Sequence, residues 1–383
     1  MFTKIKNLSL SELGLWLLIP FASWSIHMWL PVAPTILLLV GAISCWFFQQ
    51  LNEKSETVKP QAQPIENHSK IIAVVCIFTF YIFASQYVMD APFRRYFIAT
   101  LAPLFLIFIL FFSEHSSIDF IKKLGRKFIH YSLIIFCLET IIRYAVSFWT
   151  IFQDTTNLPG FYRFKVNSLL YSDSNIVAIH IVALLFFTLW WRQTYKESLK
   201  KEIIIFFILI ALTFSRAAIP AVGVGLIYYW FFRDLNWKKS LIALLILVGI
   251  AVSCLSVLKY TIGDESFQSK FLILYDALDY FKTVNLKSLL FGIGFSESEH
   301  VLVHHSAHNY FLTFLMEAGV FGLLLLCATL FTFIKFSNGK VMVVLVPFLI
   351  QTLAASNNSI PYFYVIIALM IVLKNPKPNL ELK

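Results

Sequence analysis

Residues 203–231 read Ile203-Ile-Ile-Phe-Phe-Ile-Leu-Ile-Ala-Leu-Thr-Phe-Ser-Arg216-Ala-Ala-Ile-Pro-Ala-Val-Gly-Val-Gly-Leu-Ile-Tyr-Tyr-Trp-Phe231, and whether this stretch crosses a membrane once or twice decides the fold. A transmembrane helix needs roughly 20 apolar residues, and shorter ones are tolerated where helices are broken or buried in a bundle. The two parts, 202–214 and 217–231, are each shorter than that and meet at a turn containing Arg216. Merging them into one kinked span would put the downstream basic connectors outside, against the retention of Lys and Arg in the cytoplasm. Two spans in a tight hairpin are therefore expected.

The rest of the chain has the same character. Of 383 residues, 59% are hydrophobic and only 14% charged, with 40 Phe and 9 Trp, and the mean hydropathy is +0.76. A water-soluble protein could not hide so much apolar surface. Lys and Arg exceed Asp and Glu by 31 to 21, but the cations sit in short connectors between apolar runs, which excludes nucleic acid as the reason for the surplus. The expected fold is all-α, a polytopic integral membrane protein forming a single transmembrane domain over 1–383. Its expected twelve spans are 13–30, 32–49, 70–89, 96–113, 127–150, 173–191, 202–214, 217–231, 240–258, 307–334, 340–355 and 359–373. With both termini cytoplasmic, 21 of the 31 cations fall on the cytoplasmic side and nine outside, Arg143 lying within a span. That asymmetry supports the count and the direction.

The five cysteines lie in apolar runs with no CxxC pair and read as packing residues. Lys4 and Lys6 before the first apolar segment resemble a signal sequence, but no convincing cleavage site follows, so an uncleaved anchor is expected.

Function tends to concentrate in long connectors. Residues 50–69, polar and containing Pro60 and Pro64, read as a tether. On the outer side, 151–172 and 259–306 are far longer than a turn requires. Within the latter, Phe267–Phe281 places Phe271, Leu274, Tyr275 and Leu278 on one helical face, with Asp276, Asp279 and Lys282 off it, as expected of an amphipathic helix at a membrane interface. Gly292 and Gly294 then indicate a tight turn; no third glycine or preceding strand supports a dinucleotide fingerprint.

The strongest local signal is Ala307-His308-Asn309 followed by Gly319 and Gly322. On a continuous helix His308 and Gly319 share nearly one face, with an imidazole at the helix mouth above a small-residue strip that admits a neighbouring helix. A histidine there is either a functional group or a polar anchor. Glu317 falls near the opposite face and more than two turns deeper, so it should pair with another helix rather than with His308. His300, His304, His305 and His308 raise a metal reading, but no Cys or HExxH pattern supports it, and no metal or other cofactor is expected.

The second signal is Thr213-Phe-Ser-Arg216. An outer-end guanidinium either snorkels to the interface or binds an anion such as a phosphate, which its planar donor fork suits. The third is Arg163 and Lys165 ahead of Asp173 and Asn175. Asp173 can simply cap the following helix, while the two cations, with Arg94 and Arg95, could seat an anionic headgroup. Glu139 and Arg143, spaced i,i+4 within a span, read as a mutually neutralising pair, with a proton or substrate pathway as the alternative.

These elements together, His308-Asn309 with Gly319 and Gly322, the Thr213–Arg216 turn, the Asp173-Ser-Asn175 step and the Gly292-Ile-Gly294 turn, resemble the O-antigen ligase/polymerase superfamily, the bacterial membrane glycosyltransferases of the Wzy and WaaL type. The resemblance covers the chain from about residue 160 onward. It implies about a dozen helices in the inner membrane and a glycan donor on undecaprenyl diphosphate, used at the periplasmic face without nucleotide or metal. His308 would match the family's candidate base and Arg216 one of its diphosphate-binding arginines, with Arg163, Lys165, Lys270, Asn309, Asp173 and Asn175 as further substrate-binding candidates. One departure stands out: family ligases tend to carry arginine where this chain has Lys270, and lysine lacks the bidentate fork.

The expected activity is metal-independent, inverting transfer to a sugar hydroxyl, with His308 as base; an imidazole, at an ordinary pKa of roughly 6.5, suits that task. Lys270 and the Lys165–Asn175 stretch favour a repeat-unit polymerase over a ligase acting on lipid A core. The expected partners are the lipid-linked oligosaccharide, membrane lipid and a chain-length regulator. A flippase or transporter is the competing class, but no internal repeat is visible.

Overall fold

The computed structural model describes residues 8–24, 34–53, 68–152, 163–166, 168, 170, 173–247, 249, 265–302, 309–353 and 361–374. Among these the secondary structure is helical: α1 Leu10–Leu18, α2 Pro34–Glu53, α3 Ser69–Val88, α4 Phe93–Ser113, α5 Ile118–Phe152, α6 Arg163–Val166, α7 Ser174–Tyr195, α8 Lys200–Leu212, α9 Ala218–Phe231, α10 over 237–247, then α11 Glu265–Thr283, α12 Leu286–Phe291, α13 Ser298–Val301, α14 Tyr310–Phe336, α15 Met342–Thr352 and α16 Pro361–Val372. Among the described residues five helices, α2, α3, α5, α7 and α14, are long and apolar enough to cross a membrane. Together with the shorter apolar helices, including α9, α15 and α16, they make this a polytopic membrane protein. α8 and α9 are separate helices on either side of residues 213–217.

Two of the expected spans differ clearly in their limits in the first half of the chain. The first helix stops at Leu18 rather than continuing to residue 30; Pro20 has no amide hydrogen to extend it, and 25–33 lie outside the described residues. The fifth is longer than 127–150. α5 runs for 35 residues, about 52 Å at 1.5 Å per residue, and Lys122, Lys123, Arg126 and Lys127 form its early turns rather than a connector. Two of them find partners there: Arg126 pairs with Glu197, and the Lys122 ammonium lies 4.3 Å from the Tyr195 ring centroid.

The chain divides into two compact units. The first comprises 1–72, 102–216 and 361–383, the second 73–101 and 217–360. In the first unit α1 and α2 form a hairpin, tied by Ser11 Oγ donating to Gln49 Oε1 at 2.7 Å. α7 is the central helix, buried along almost its whole length. Gly125 of α5 lets Trp191 of α7 approach so closely that a Cβ would stand 2.6 Å from the indole. In the second unit α9 packs along α15, every residue of which is buried, and α12 packs on α14. Close packing and internally satisfied backbone, rather than water expulsion alone, hold helices together in lipid.

Candidate functional site

In the first unit, the Thr213–Arg216 turn is built from local hydrogen bonds and one buried cation. Thr213, wholly buried, donates through Oγ1 to Ile210 O at 2.7 Å and accepts from the Ser215 amide at 3.3 Å. Ser174 Oγ donates to Thr213 O at 2.8 Å, fastening the turn to the start of α7. Phe214 adopts a left-handed φ of 52°, and its ring centroid lies 6.4 Å from that of Tyr144. Ser215 is buried and Arg216 exposed, so the turn presents its guanidinium outward.

Arg143 braces this turn from within α5. Both Arg143 and Glu139 are fully buried, and Nε donates to Glu139 Oε1 at 3.1 Å. The guanidinium also donates to Phe164 O at 2.8 Å and to Leu212 O at 3.3 Å, the latter a carbonyl at the C-terminal end of α8, where a cation complements the helix dipole. Tyr144 adds a hydroxyl bond to the same Leu212 oxygen at 3.0 Å. One side chain thus joins α5, α6 and the end of α8, a link that the i,i+4 spacing alone did not reveal.

The third sequence signal converges here as well. Lys165 is buried on α6, which packs against α5 and α7; the Arg163 side chain lies outside the described residues. Asp173 is the N-cap of α7, accepting from the Asn175 amide at 2.9 Å and from its side-chain nitrogen at 2.8 Å. Both residues therefore use polar atoms locally, in the capping role that spacing alone allowed.

In the second unit the centre is a break in α14. Gly319 has φ 73° and ψ −176°, so helical phase does not carry from it to Gly322. The helix also begins at Tyr310, not 307, after an extended Asn309 (φ −125°, ψ 124°), which corrects the inference that His308 and Gly319 share a face of one continuous helix. Asn309 is its N-cap, accepting from the Phe311 and Leu312 amides at 3.1 Å each and donating to Leu353 O at 3.4 Å. His308 directly precedes this cap in the sequence; with His304 and His305 it lies outside the described residues.

The break exposes three carbonyls, and each is supplied with a donor. Ile293 N donates to Met316 O at 2.9 Å and Gly294 N to Glu317 O at 3.2 Å. Tyr81 on α3 donates to Ala318 O at 2.7 Å. The expected turn at Gly292 and Gly294 is thus docked directly on the break, both glycines having positive φ, 86° and 104°. Gly322 faces α3, where an added Cβ would be 3.2 Å from Tyr81 Cε1, in keeping with the expected close neighbour.

Glu317 finds its partner outside its own helix, as expected. Its buried carboxylate accepts from Ser298 Oγ at 2.6 Å and from the Ser296 and Ser298 amides, holding the start of α13. α11 packs Ile273 and Ala277 into a cluster with Leu302 and Met316, while Leu274, Tyr275 and Leu278 are exposed. The helix therefore has an inner apolar face beside the outer one read from sequence. Tyr280 packs against the cluster, and burial raises its phenol above the ordinary tyrosine value. Lys270 is on the same helix, but its side chain, like that of Phe271, is outside the described residues.

The sequence reading missed Tyr81, Gln86 and Gly319's role as a helix breaker. A tyrosine and a glutamine in an apolar span were the available signals, but neither names its partners.

With this geometry in place, comparison with known families is informative. Residues 202–327 match the family model described as O-antigen ligase, about a third of the chain, which supports membership of the O-antigen ligase/polymerase superfamily. Comparison with curated proteins returns no match. The matched interval runs from α8 to the second half of α14 and includes Arg216, Lys270, Gly292, His308, Asn309, Glu317 and Gly319; Arg163, Lys165, Asp173 and Asn175 precede it.

Proposed function

We propose that this membrane protein transfers a glycan from undecaprenyl diphosphate to a sugar hydroxyl at the periplasmic face of the bacterial inner membrane, acting as an O-antigen repeat-unit polymerase. The observation that carries this reading is the family match, which takes in both the Thr213–Arg216 turn and the broken α14 that follows His308.

The periplasm holds no pool of activated sugar nucleotides, so a transferase there needs a donor that arrives activated. A lipid diphosphate is both anchor and leaving group. In the proposed step the acceptor hydroxyl oxygen bonds to the anomeric carbon as the bond from that carbon to the diphosphate oxygen breaks. His308 takes the hydroxyl proton and later releases it to water. Arg216, with Arg163 or Lys165, offsets charge developing on the departing undecaprenyl diphosphate. Attack by the acceptor inverts the anomeric centre, and no metal is required.

Lys270, where family ligases tend to have arginine, favours the polymerase over the ligase. Deleting the gene separates the two: lipid A core bearing a single repeat identifies a polymerase, whereas bare core with polymer retained on the lipid carrier identifies a ligase. A flippase is the second reading, because discontinuous helices also line transporter sites and α14 is discontinuous. Purified protein in detergent and chelator, given lipid-linked donor and each acceptor separately, forms longer glycan if it is the polymerase and nothing if it is a flippase.

A further inference from the structure

α3 is an apolar helix of the second unit that carries a wholly buried Gln86. A buried amide in a membrane helix is costly unless both its ends are bonded. Here both are: Nε2 donates to Glu317 O at 3.2 Å, and Oε1 accepts from the Phe295 amide at 2.6 Å. Tyr81, on the same helix, donates to Ala318 O at 2.7 Å and lies 3.3 Å from Leu290 O. Each side chain therefore bonds on one side to α14 just before its break and on the other to the 290–295 segment.

The two bonded segments bracket one short piece of chain. The loop through α13 reaches Leu302, which is packed with Met316 and Ile273, and α14 resumes at its cap Asn309. In the sequence His308 falls between these two ends, directly before the cap Asn309. Neither Tyr81 nor Gln86 lies in the family-matched interval.

We infer that Tyr81 and Gln86 form a clasp that locks the 290–302 loop onto the broken helix, and that this clasp serves His308, which the sequence places between the end of that loop and the helix cap Asn309. They are positioning residues, acting through the chain they hold. The catalytic part of the inference rests on the proposed transfer reaction; the clasp itself does not.

The test uses full-length protein in lipid nanodiscs, with Tyr81→Phe and Gln86→Met, which keep side-chain bulk and remove the bonds. Hydrogen exchange is followed in peptides covering 286–302 and, as a check on folding, 320–336. The expected result is faster exchange in 286–302 with 320–336 unchanged, together with a kcat lower on the order of ten- to a hundred-fold and a donor KM unchanged. Wild-type exchange in 286–302 overturns the clasp. Faster exchange with wild-type kcat, or a loss expressed only in KM, overturns its positioning role. Loss of protection in 320–336 as well makes these residues general supports of the fold and also overturns it. An inactive wild type refutes the proposed reaction instead, while the exchange measurement still decides the clasp.

Discussion

Gly319 lies against Gly292 backbone to backbone, so closely that a Cβ on Gly319 would stand 2.6 Å from the Gly292 nitrogen. Both residues also have positive φ, 73° and 86°. Two separate demands, for space and for a left-handed backbone, thus fall on each glycine. The break they form gives the first half of α14 an orientation of its own, and the loop that docks there satisfies the carbonyls that the break releases.

Gly319→Ala and Gly292→Ala should each destabilise the protein by at least the roughly 1–3 kcal/mol of a strained backbone conformation, since a backbone neighbour must also move. Thermal unfolding in detergent measures this. Unchanged midpoints in both variants would show that the break tolerates side chains and that the docking is loose.

Arg143 and Glu139 are both fully buried, so removing one partner strands the other's charge. Arg143→Met should cost about 3–5 kcal/mol, and the Glu139→Gln, Arg143→Met double variant should be less destabilised than the single one. Unfolding midpoints of the two variants decide it. A double variant that is no better than the single would mean that the bonds to Phe164 O and Leu212 O, not the carboxylate, set the cost.

His308→Ala should lower transfer by about 10²–10⁴-fold, the usual worth of a general base, and Arg216→Ala should abolish product, with membrane expression retained in both. Radiolabelled product from washed membranes gives the answer. Full activity in both variants would move the reaction elsewhere on the protein.

The outer face of α11 exposes Leu274, Tyr275 and Leu278, whereas Asp279 and Lys282 form an exposed pair at 2.7 Å. In a cysteine-free background, nitroxides at positions 274 and 278 should collide preferentially with oxygen, and one at 279 with a water-soluble nickel chelate. Equal accessibility to the chelate at all three would place the helix in water rather than at the membrane surface.

The helical class, the separation of α8 from α9, the helix within 259–306 and the turn at Gly292 and Gly294 could all be read from the chain, because hydropathy, periodicity and turn chemistry are local. The reading was weakest where a helix departs from regularity. Counting 100° per residue carried His308 to Gly319, yet the helix begins only at Tyr310, after an extended Asn309, and breaks again before Gly322. Likewise α11 has two apolar faces, and periodicity could not say which one meets protein.

What the amino-acid order determined was which segments must leave water and which polar residues would be expensive to take with them: Glu139, Arg143 and Glu317 were all conspicuous. Tertiary structure alone decided their partners. Arg143 reaches carbonyls at 164 and 212, Glu317 reaches Ser298, and Gln86 reaches Phe295 across 209 positions of sequence. A buried hydrogen bond depends on distance and direction in space, and chain separation carries neither.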